Sequence, residues 1–334
     1  MRILHICKQS DIRAFKQAVV MLDRGHQVEL ATPTPNFYGF NAFTLSYLYT
    51  DADSLKRIIE NSRADVIHVH SDPNWLVCLV RELAPGRVVV HDVHDPESMR
   101  TGQPPTEEER RSMTEVNGII HVSEGCRKHS EALHGNALPT IVSLSAVPAY
   151  LYGAARHTSF DSLVYQGGLT TSRVDEQGLR YFRNLLYVVE RFIAQGYNVS
   201  LFAAGEFEID DTYQKLGAFL VRHVPYAALL TGLRQHGFGF VGAPLVSNIV
   251  LNCMPNKLFE YLSQGVVPVC WNADEAGRYV TERGIGIHLQ GDLVDLRRQL
   301  REGPRLRERL LKTGRQYAME NEAPALEQFY KSFI

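Results

Sequence analysis

The stretch Met254-Pro-Asn-Lys-Leu-Phe-Glu-Tyr-Leu-Ser-Gln-Gly265, followed by the apolar run Val266 to Trp271, decides how this chain is read. It predicts a helix that opens at Pro255, stops at Gly265 and feeds a buried strand, because proline is favoured at the first helical position and glycine just past the last. Asn256, Lys257 and Glu260 are three or four residues apart and share one face near the helix start. The unpaired amides of a helix N-terminus attract anions. Lys257 adds a cation there, and the Glu260 carboxylate one turn on can accept two hydrogen bonds from a sugar diol. Together they suit a nucleoside diphosphate, with phosphate on Lys257 and the helix end and ribose hydroxyls on Glu260. A surface helix with an i,i+3 salt bridge is the competing reading.

Outward from this stretch the pattern is strand then helix, repeated, which means a parallel α/β architecture. Ile3 to Cys7, Val28 to Ala31, Asp65 to His70, Arg87 to His91 and Gly118 to Val122 are short apolar runs, as expected of strands buried on both faces. A helix over 11–25 ends at Gly25. Residues 147–160 carry no period and read as a linker. The pattern then restarts with a strand, Ser162 to Gln166, running into Gly167-Gly168. An amphipathic helix over 179–195 follows, with Leu185, Val188, Val189, Phe192 and Ile193 on one face, then a strand from Tyr197 to Ala203. Leu22-Asp-Arg-Gly-His-Gln-Val-Glu-Leu30 and Ile193-Ala-Gln-Gly-Tyr-Asn-Val-Ser-Leu201 echo each other as helix end, glycine stop and strand start. That favours two similar Rossmann-like halves. A last helix, Ala323 to Ile334, shows an apolar stripe of Leu326, Phe329, Tyr330 and Phe333 that must dock. Open parallel sheets bind ligands beyond the carboxyl ends of their strands, so a cleft between two facing sheets is the expected site.

Composition narrows the classes. The 334 residues suffice for two domains; 45% hydrophobic and 22% charged content is that of an ordinary globular protein. A net charge of −2 offers no general attraction to nucleic acid or anionic lipid. Cys7, Cys78, Cys126, Cys253 and Cys270 form no CxxC pair and read as buried thiols of a reducing compartment, hence a cytoplasmic protein. Residues 1–7 read as a strand rather than a leader, and no apolar run approaches the length of a membrane span. No GxGxxG follows either first strand, which argues against a dinucleotide enzyme.

Four passages carry a resemblance: Asp65-Val-Ile-His-Val-His-Ser-Asp-Pro-Asn-Trp75, Val90-His-Asp-Val-His-Asp95, Tyr165-Gln-Gly-Gly-Leu169 and Pro255-Asn-Lys-Leu-Phe-Glu-Tyr261 with Gly265. In order and spacing, across nearly the whole chain, the sequence resembles the GT-B retaining glycosyltransferases of the group 1, family 4-like type. The resemblance implies two Rossmann-like doubly wound domains facing across a cleft. Residues 1–150 would bind the acceptor and 155–315 the nucleotide sugar, with 316–334 a helix crossing back to the first domain. Glu260 matches the second glutamate of the family's E-x7-E motif, which holds the donor ribose; Asn252 stands in place of the first. The family's Gly-Arg pair after the first strand of the second domain is Gly167-Gly168 here, and Arg173 falls where a lysine is usual. Arg173 and Lys257 are thus the implied diphosphate cations, with the helix end at Pro255 and Asn256 beside them. Val224-Pro225-Tyr226 lies where backbone groups hold the base. His94 matches the family's active-site histidine near the transferred sugar, with Asp95 next to it in the same site. Lys8-Gln-Ser-Asp11 replaces the glycine pair that often follows the first strand, so acceptor recognition does not carry over.

The resemblance implies a metal-independent retaining hexosyltransferase. It would use a nucleoside-diphosphate sugar, expected to be a UDP-sugar, without cofactor. The acceptor stays open among glycans, lipid-linked sugars, proteins and small molecules, as does peripheral docking at the inner face of a membrane. A non-catalytic subunit that binds a protein partner, and a sugar-nucleotide epimerase or hydrolase of the same fold, are the alternatives. His68, His70, His91 and His94 tempt a metal reading, but buried histidines with backbone partners are expected, since no Cys or Glu completes a ligand set. Aromatic residues between Pro33 and Thr50 (Phe37, Tyr38, Phe40, Phe43, Tyr47 and Tyr49) suit either a sugar or lipid surface or a local core. Residues 105–112 read as a solvated helix start. The arginines from Arg297 to Arg309 are largely cancelled by interleaved acids, so nucleic acid is not an expected partner.

Overall fold

The computed structural model describes residues 1–35, 42–70, 73–155, 158–172, 183–204, 211–222 and 224–334. The chain divides into two compact units, one of 1–148 with 319–334, the other of 149–318. Both are parallel α/β, as the alternation of apolar runs and amphipathic segments predicts. Among the described residues no helix is long and apolar enough to cross a membrane. All five cysteines are free thiols, and all but Cys253 are buried.

The first unit runs β1 (Arg2–Ile6), α1 (Ile12–Asp23), β2 (Gln27–Thr32), β3 (Leu45–Leu48), α2 (Ala52–Asn61), β4 (Val66–His70) and α3 (Asn74–Leu83). It continues through β5 (Val89–Val93), α4 (Glu97–Thr101), α5 (Glu107–Thr114), β6 (Gly118–His121), α6 (Glu124–His134) and β7 (Thr140–Val142). Its sheet order is β3-β2-β1-β4-β5-β6-β7, every pair parallel. The order reverses between β1 and β4, so ligands of this unit are expected where those two strands end. Asp11 caps α1, its side chain accepting from the Arg13 and Ala14 amides, and Gly25 leaves the helix with φ +81°.

The second unit runs β8 (Ser159–Gly168), α7 (Leu186–Ala194), β9 (Asn198–Ala204), α8 (Thr212–Lys215), β10 (Phe219–Arg222), α9 (Tyr226–Leu233) and β11 (His236–Gly242). It goes on through α10 (Asn248–Asn252), α11 (Asn256–Ser263), β12 (Val267–Trp271), α12 (Asp274–Arg283), β13 (Ile287–Leu289), α13 (Leu296–Gln299) and α14 (Gly303–Thr313). The sheet order is β10-β9-β8-β11-β12-β13, again parallel, with the reversal between β8 and β11. Gly242, at φ +132°, ends β11 so close to β12 that a Cβ there would stand 1.8 Å from the Trp271 carbonyl oxygen. That contact admits only glycine.

After the second unit the chain returns to the first. The last helix, α15 (Ala323–Lys331), packs on it, burying Leu326, Phe329 and Tyr330. A Cβ on Gly118, at the start of β6, would meet the Phe333 ring at 2.5 Å and the Phe329 ring at 2.7 Å, so the strand accepts this helix only by lacking a side chain. Glu327 ties the same helix to Arg24 and to His26, the latter at 3.1 Å.

Several expectations need correction. The helix of the opening stretch begins at Asn256, with Pro255 extended as its N-cap (ψ 151°). The Pro255 carbonyl accepts from the Leu258 amide at 3.1 Å, so proline serves as the cap and the helical turn starts one position later. In the linker, Ala149–Leu151 form a 3-10 turn and β8 is under way by Ser159. The helix start at 105–112 is not solvated throughout. Glu109 is fully buried, accepting from the Ser98 amide at 2.9 Å and the Ser98 hydroxyl at 2.7 Å. Strands β3, β7, β10, β11 and β13 lack a distinct sequence signal and emerge only through pairing. In the aromatic stretch, 36–41 lie outside the described residues, while Phe43 and Tyr49 are core and the Tyr49 hydroxyl donates to the Cys7 carbonyl at 2.9 Å. Those two therefore take the local-core reading.

Candidate functional site

Two polar clusters stand where the sheets reverse, one in each unit. In the second unit Gly167, the last residue but one of β8, takes a φ of +130° beside the start of α11. A Cβ at Gly167 would lie 3.2 Å from Lys257 Nζ, so the missing side chain leaves the ammonium beside bare backbone. Lys257 Nζ sits 3.9 Å from the centroid of the Tyr165 ring, a cation–π contact, and Tyr165 donates its hydroxyl to the Gly168 carbonyl at 2.8 Å. Tyrosine thus aims the lysine and pins the glycine turn. The result is a cation, a helix start and a glycine-rich strand end in one place, the ingredients of a phosphate cradle.

Glu260, one turn into α11, is buried rather than presented at the surface, with 2% of it exposed. Its carboxylate accepts from the Tyr226 hydroxyl at 3.2 Å and from the Gln166 side-chain amide. The i,i+3 salt bridge with Lys257 therefore gives way to these partners and to Tyr165. Burial, and then the neighbouring Glu260 charge, hold the Tyr226 phenol far above its ordinary pKa, so it remains a donor at neutral pH. A sugar diol approaching this carboxylate would share an oxygen with one of these donors or displace it. Tyr226→Phe is expected to destabilise the second unit by about 1–3 kcal/mol, by removing one donor from a buried carboxylate. Urea unfolding followed by hydrogen exchange of α9 and α11 peptides checks it, and an unchanged midpoint would count against the bond.

The other expected donor residues are spread around this centre. Asn256 is the first residue of α11, beside Lys257, and Val224 stands in the loop before α9. Asn252 ends α10 and donates its side-chain amide to the Asn248 carbonyl at 2.9 Å, back along its own helix. Arg173 lies outside the described residues. Sequence reasoning missed Gln166 as a site residue; its signal was an amide placed between the apolar run Leu163-Val164-Tyr165 and two glycines.

In the first unit the ends of β1, β4 and β5 converge on Asp92. Arg13, on α1, donates through Nε to both carboxylate oxygens at 3.0 and 2.8 Å; Gln17 adds a bond at 2.9 Å and His68 Nε2 lies 3.2 Å away. The Arg13 and Asp92 side chains are 1% and 0% exposed. Although burial opposes ionisation, Arg13 and His68 overcome it and keep the Asp92 carboxyl well below the usual carboxylate range. His68 Nδ1 is 2.6 Å from the Tyr330 hydroxyl, so α15 reaches the centre of the network.

From there the histidines form a row. His5 Nδ1 is 2.8 Å from His70 Nε2, and His70 Nδ1 is 3.2 Å from His94 Nε2. His94, at the exit of β5, also has Nδ1 3.5 Å from Asp11. Asp95 comes next in the chain, half-buried in the turn before α4. The sequence predicts backbone partners for His68 and His70. They find side chains instead, because residues two apart on a strand share a face, and here that face opens on α1 and α15. His91, pointing the other way, does take a backbone partner, the Ser112 carbonyl, at 3.0 Å. Arg13 and Asp92 also escaped sequence reasoning. The available signal was Arg13, Lys16 and Gln17, three polar residues at helical spacing on the inner side of an otherwise apolar helix.

Residues 13–142, most of the first unit, match the model of Glycosyltransferase Family 4. No curated protein matches the chain by sequence. Among solved structures, the chain is similar to a glycosyltransferase involved in avilamycin A biosynthesis (14% identity, 99% of this chain and 97% of that one, TM-score 0.66). It is likewise similar to an α-glucosyltransferase in complex with UDP (12% identity, 98% of each chain, TM-score 0.69). A third similar structure is the Anabaena protein HepE in complex with UDP (11% identity, 99% of this chain and 100% of that one, TM-score 0.67). The family match thus lies in the first unit, and the two parallel-sheet units have the fold of GT-B glycosyltransferase structures.

Proposed function

We propose that the protein transfers a hexosyl group, with retention of configuration, from a UDP-sugar to an acceptor hydroxyl. The observation that carries this reading is Lys257, held by Tyr165 at the start of α11 against the bare Gly167 turn. Breaking the bond between sugar and diphosphate builds negative charge on the leaving phosphate, and a fixed cation with helix amides stabilises that charge as it grows. Protein cations, Lys257 with Arg173, take the place a metal would otherwise hold on the phosphates. Glu260 receives the ribose diol, and the Val224–Tyr226 backbone receives the base. In the first unit, His94, with Asp95 next to it, is assigned to the transferred sugar and the acceptor. A retaining transfer in which the acceptor enters on the face the leaving group departs from needs no protein nucleophile.

The test is calorimetric binding of UDP, GDP and ADP to the purified protein, with and without EDTA. One nucleotide is expected to bind, indifferently to EDTA. Lys257→Ala is expected to weaken that binding by about 1.5–3 kcal/mol, the worth of a charge-assisted hydrogen bond. Failure of all three nucleotides to bind would move the weight to a non-catalytic subunit. Release of free sugar or an epimerised nucleotide without any acceptor would instead identify a hydrolase or epimerase.

A further inference from the structure

We infer that Asp11 and His70 are positioning residues that fix His94 as a hydrogen-bond acceptor, with its ring proton on Nδ1 and its lone pair on Nε2. The use of that lone pair on a substrate hydroxyl rests on the proposed transfer reaction; the tautomer stands without it. A neutral imidazole carries one N–H and one lone pair, and the partner of one nitrogen decides the other. Asp11 caps α1 by spending one carboxylate oxygen on the Arg13 and Ala14 amides, at 2.6 and 3.3 Å, and its other oxygen stands 3.5 Å from His94 Nδ1. A carboxylate only accepts, so it favours the N–H on that side. The lone pair then falls on Nε2, which faces His70 Nδ1 at 3.2 Å.

The same direction is imposed from behind. His70 Nδ1 supplies the proton for this bond, and Asp92, 3.6 Å from that nitrogen, favours the proton there too. With Nδ1 protonated, His70 accepts at Nε2 from His5 Nδ1, 2.8 Å away. Burial keeps both His5 and His70 in the neutral form, so each has a single N–H to place. The ladder ends on His5 Nε2, which is buried and has no hydrogen-bond partner among the described residues. In this direction the orphan is a lone pair. The reverse direction would strand a buried N–H, and such groups are seldom left unpaired. One contact pulls the other way, since Asp92 lies 3.9 Å from His94 Nε2. That carboxylate oxygen already accepts from Arg13 Nε at 3.0 Å, and His70 is the nearer partner of His94. The His94 side chain keeps 18% of its surface, so this end of the ladder is open to a substrate.

The test is a long-range 1H–15N correlation spectrum of the full-length protein, labelled at the histidine ring nitrogens and recorded at neutral pH without substrate. His5, His70 and His94 are each expected to carry the proton on Nδ1, the less common tautomer of free histidine in water. Asp11→Asn keeps the helix cap through its amide oxygen and turns N–H donors toward His94. It is expected to move the His94 proton to Nε2 and to abolish the downfield signal of the His70–His94 hydrogen bond, while His70, held by Asp92, keeps its tautomer. Urea unfolding of the variant controls for the fold. A wild-type spectrum with the proton on Nε2 of His70 or His94 overturns the inference, whether or not the variant folds. Folded Asp11→Asn protein with an unchanged His94 pattern overturns it as well. Failure of every nucleotide to bind would remove the transfer reading without altering these spectra, so the two failures are told apart.

Discussion

Lowering the pH from 7 to 5 is expected to loosen the first unit while the second keeps its structure. The first unit buries His5, His68, His70, His91 and His121, and desolvation lowers all five, His91 to about 4 and His121 to about 3. Proton counting fixes the sign. In the unfolded chain these imidazoles take up protons below about pH 6.5, whereas in the folded unit they stay neutral until far lower. Between those limits the unfolded state binds more protons, so stability falls as pH falls. For a histidine with a folded value of 4 or less, the loss at pH 5 is about 2 kcal/mol. Several such residues together approach the whole stability of an ordinary domain, about 5–15 kcal/mol. Asp92 acts in the same direction only lower down. Its folded value is depressed, so its contribution is complete above about pH 4 and fades below that as the carboxylate titrates. Hydrogen exchange of β1, β4 and β5 peptides against β8 and β12 peptides, at pH 7 and pH 5, measures the effect. Equal protection of both units at pH 5 would show that the histidine row does not control acid stability.

The second large effect is expected from Asp92→Asn. It leaves the Arg13 guanidinium, 1% exposed, without its counter-charge, and removing one partner of a buried pair costs about 3–5 kcal/mol. The amide would also offer protons where Gln17 and Arg13 already donate. Denaturant unfolding reads the loss. If the variant fails to fold, the double substitution Arg13→Gln with Asp92→Asn keeps the question answerable, because removing both charges should recover much of the stability. A double variant no better than Asp92→Asn would mean that the loss lies in packing and not in the uncompensated cation. The pair also bears on function. Asp92 stands 3.9 Å from His94 Nε2 and 3.6 Å from His70 Nδ1, so its loss should disturb the residue assigned to the transferred sugar.

Much of the architecture was legible before any coordinates. The runs Ile3 to Cys7, Asp65 to His70, Gly118 to Val122 and Val266 to Trp271 are apolar because parallel strands bury both faces, and the glycine stops at Gly25 and Gly265 mark where helices must turn. Lys257 and Glu260 were readable as a group because they lie one turn apart at a helix start, whereas Gly167, 90 residues earlier, was joined to them only by the family resemblance.

What the sequence determined by itself was the class of fold and the identity of a phosphate-suited helix start, since both depend on periodicity and on residues near each other in the chain. Tertiary structure alone decided where the polar side chains went. Glu260 turned inward because Tyr226 and Gln166, 34 and 94 residues away, supply the donors that make its burial tolerable. Asp92 became a hub because α1 brings Arg13 and Gln17, and α15 brings Tyr330 to His68 from 262 residues further along the chain. A buried charge is permitted only where distant partners meet it, and no local pattern records which partners those are.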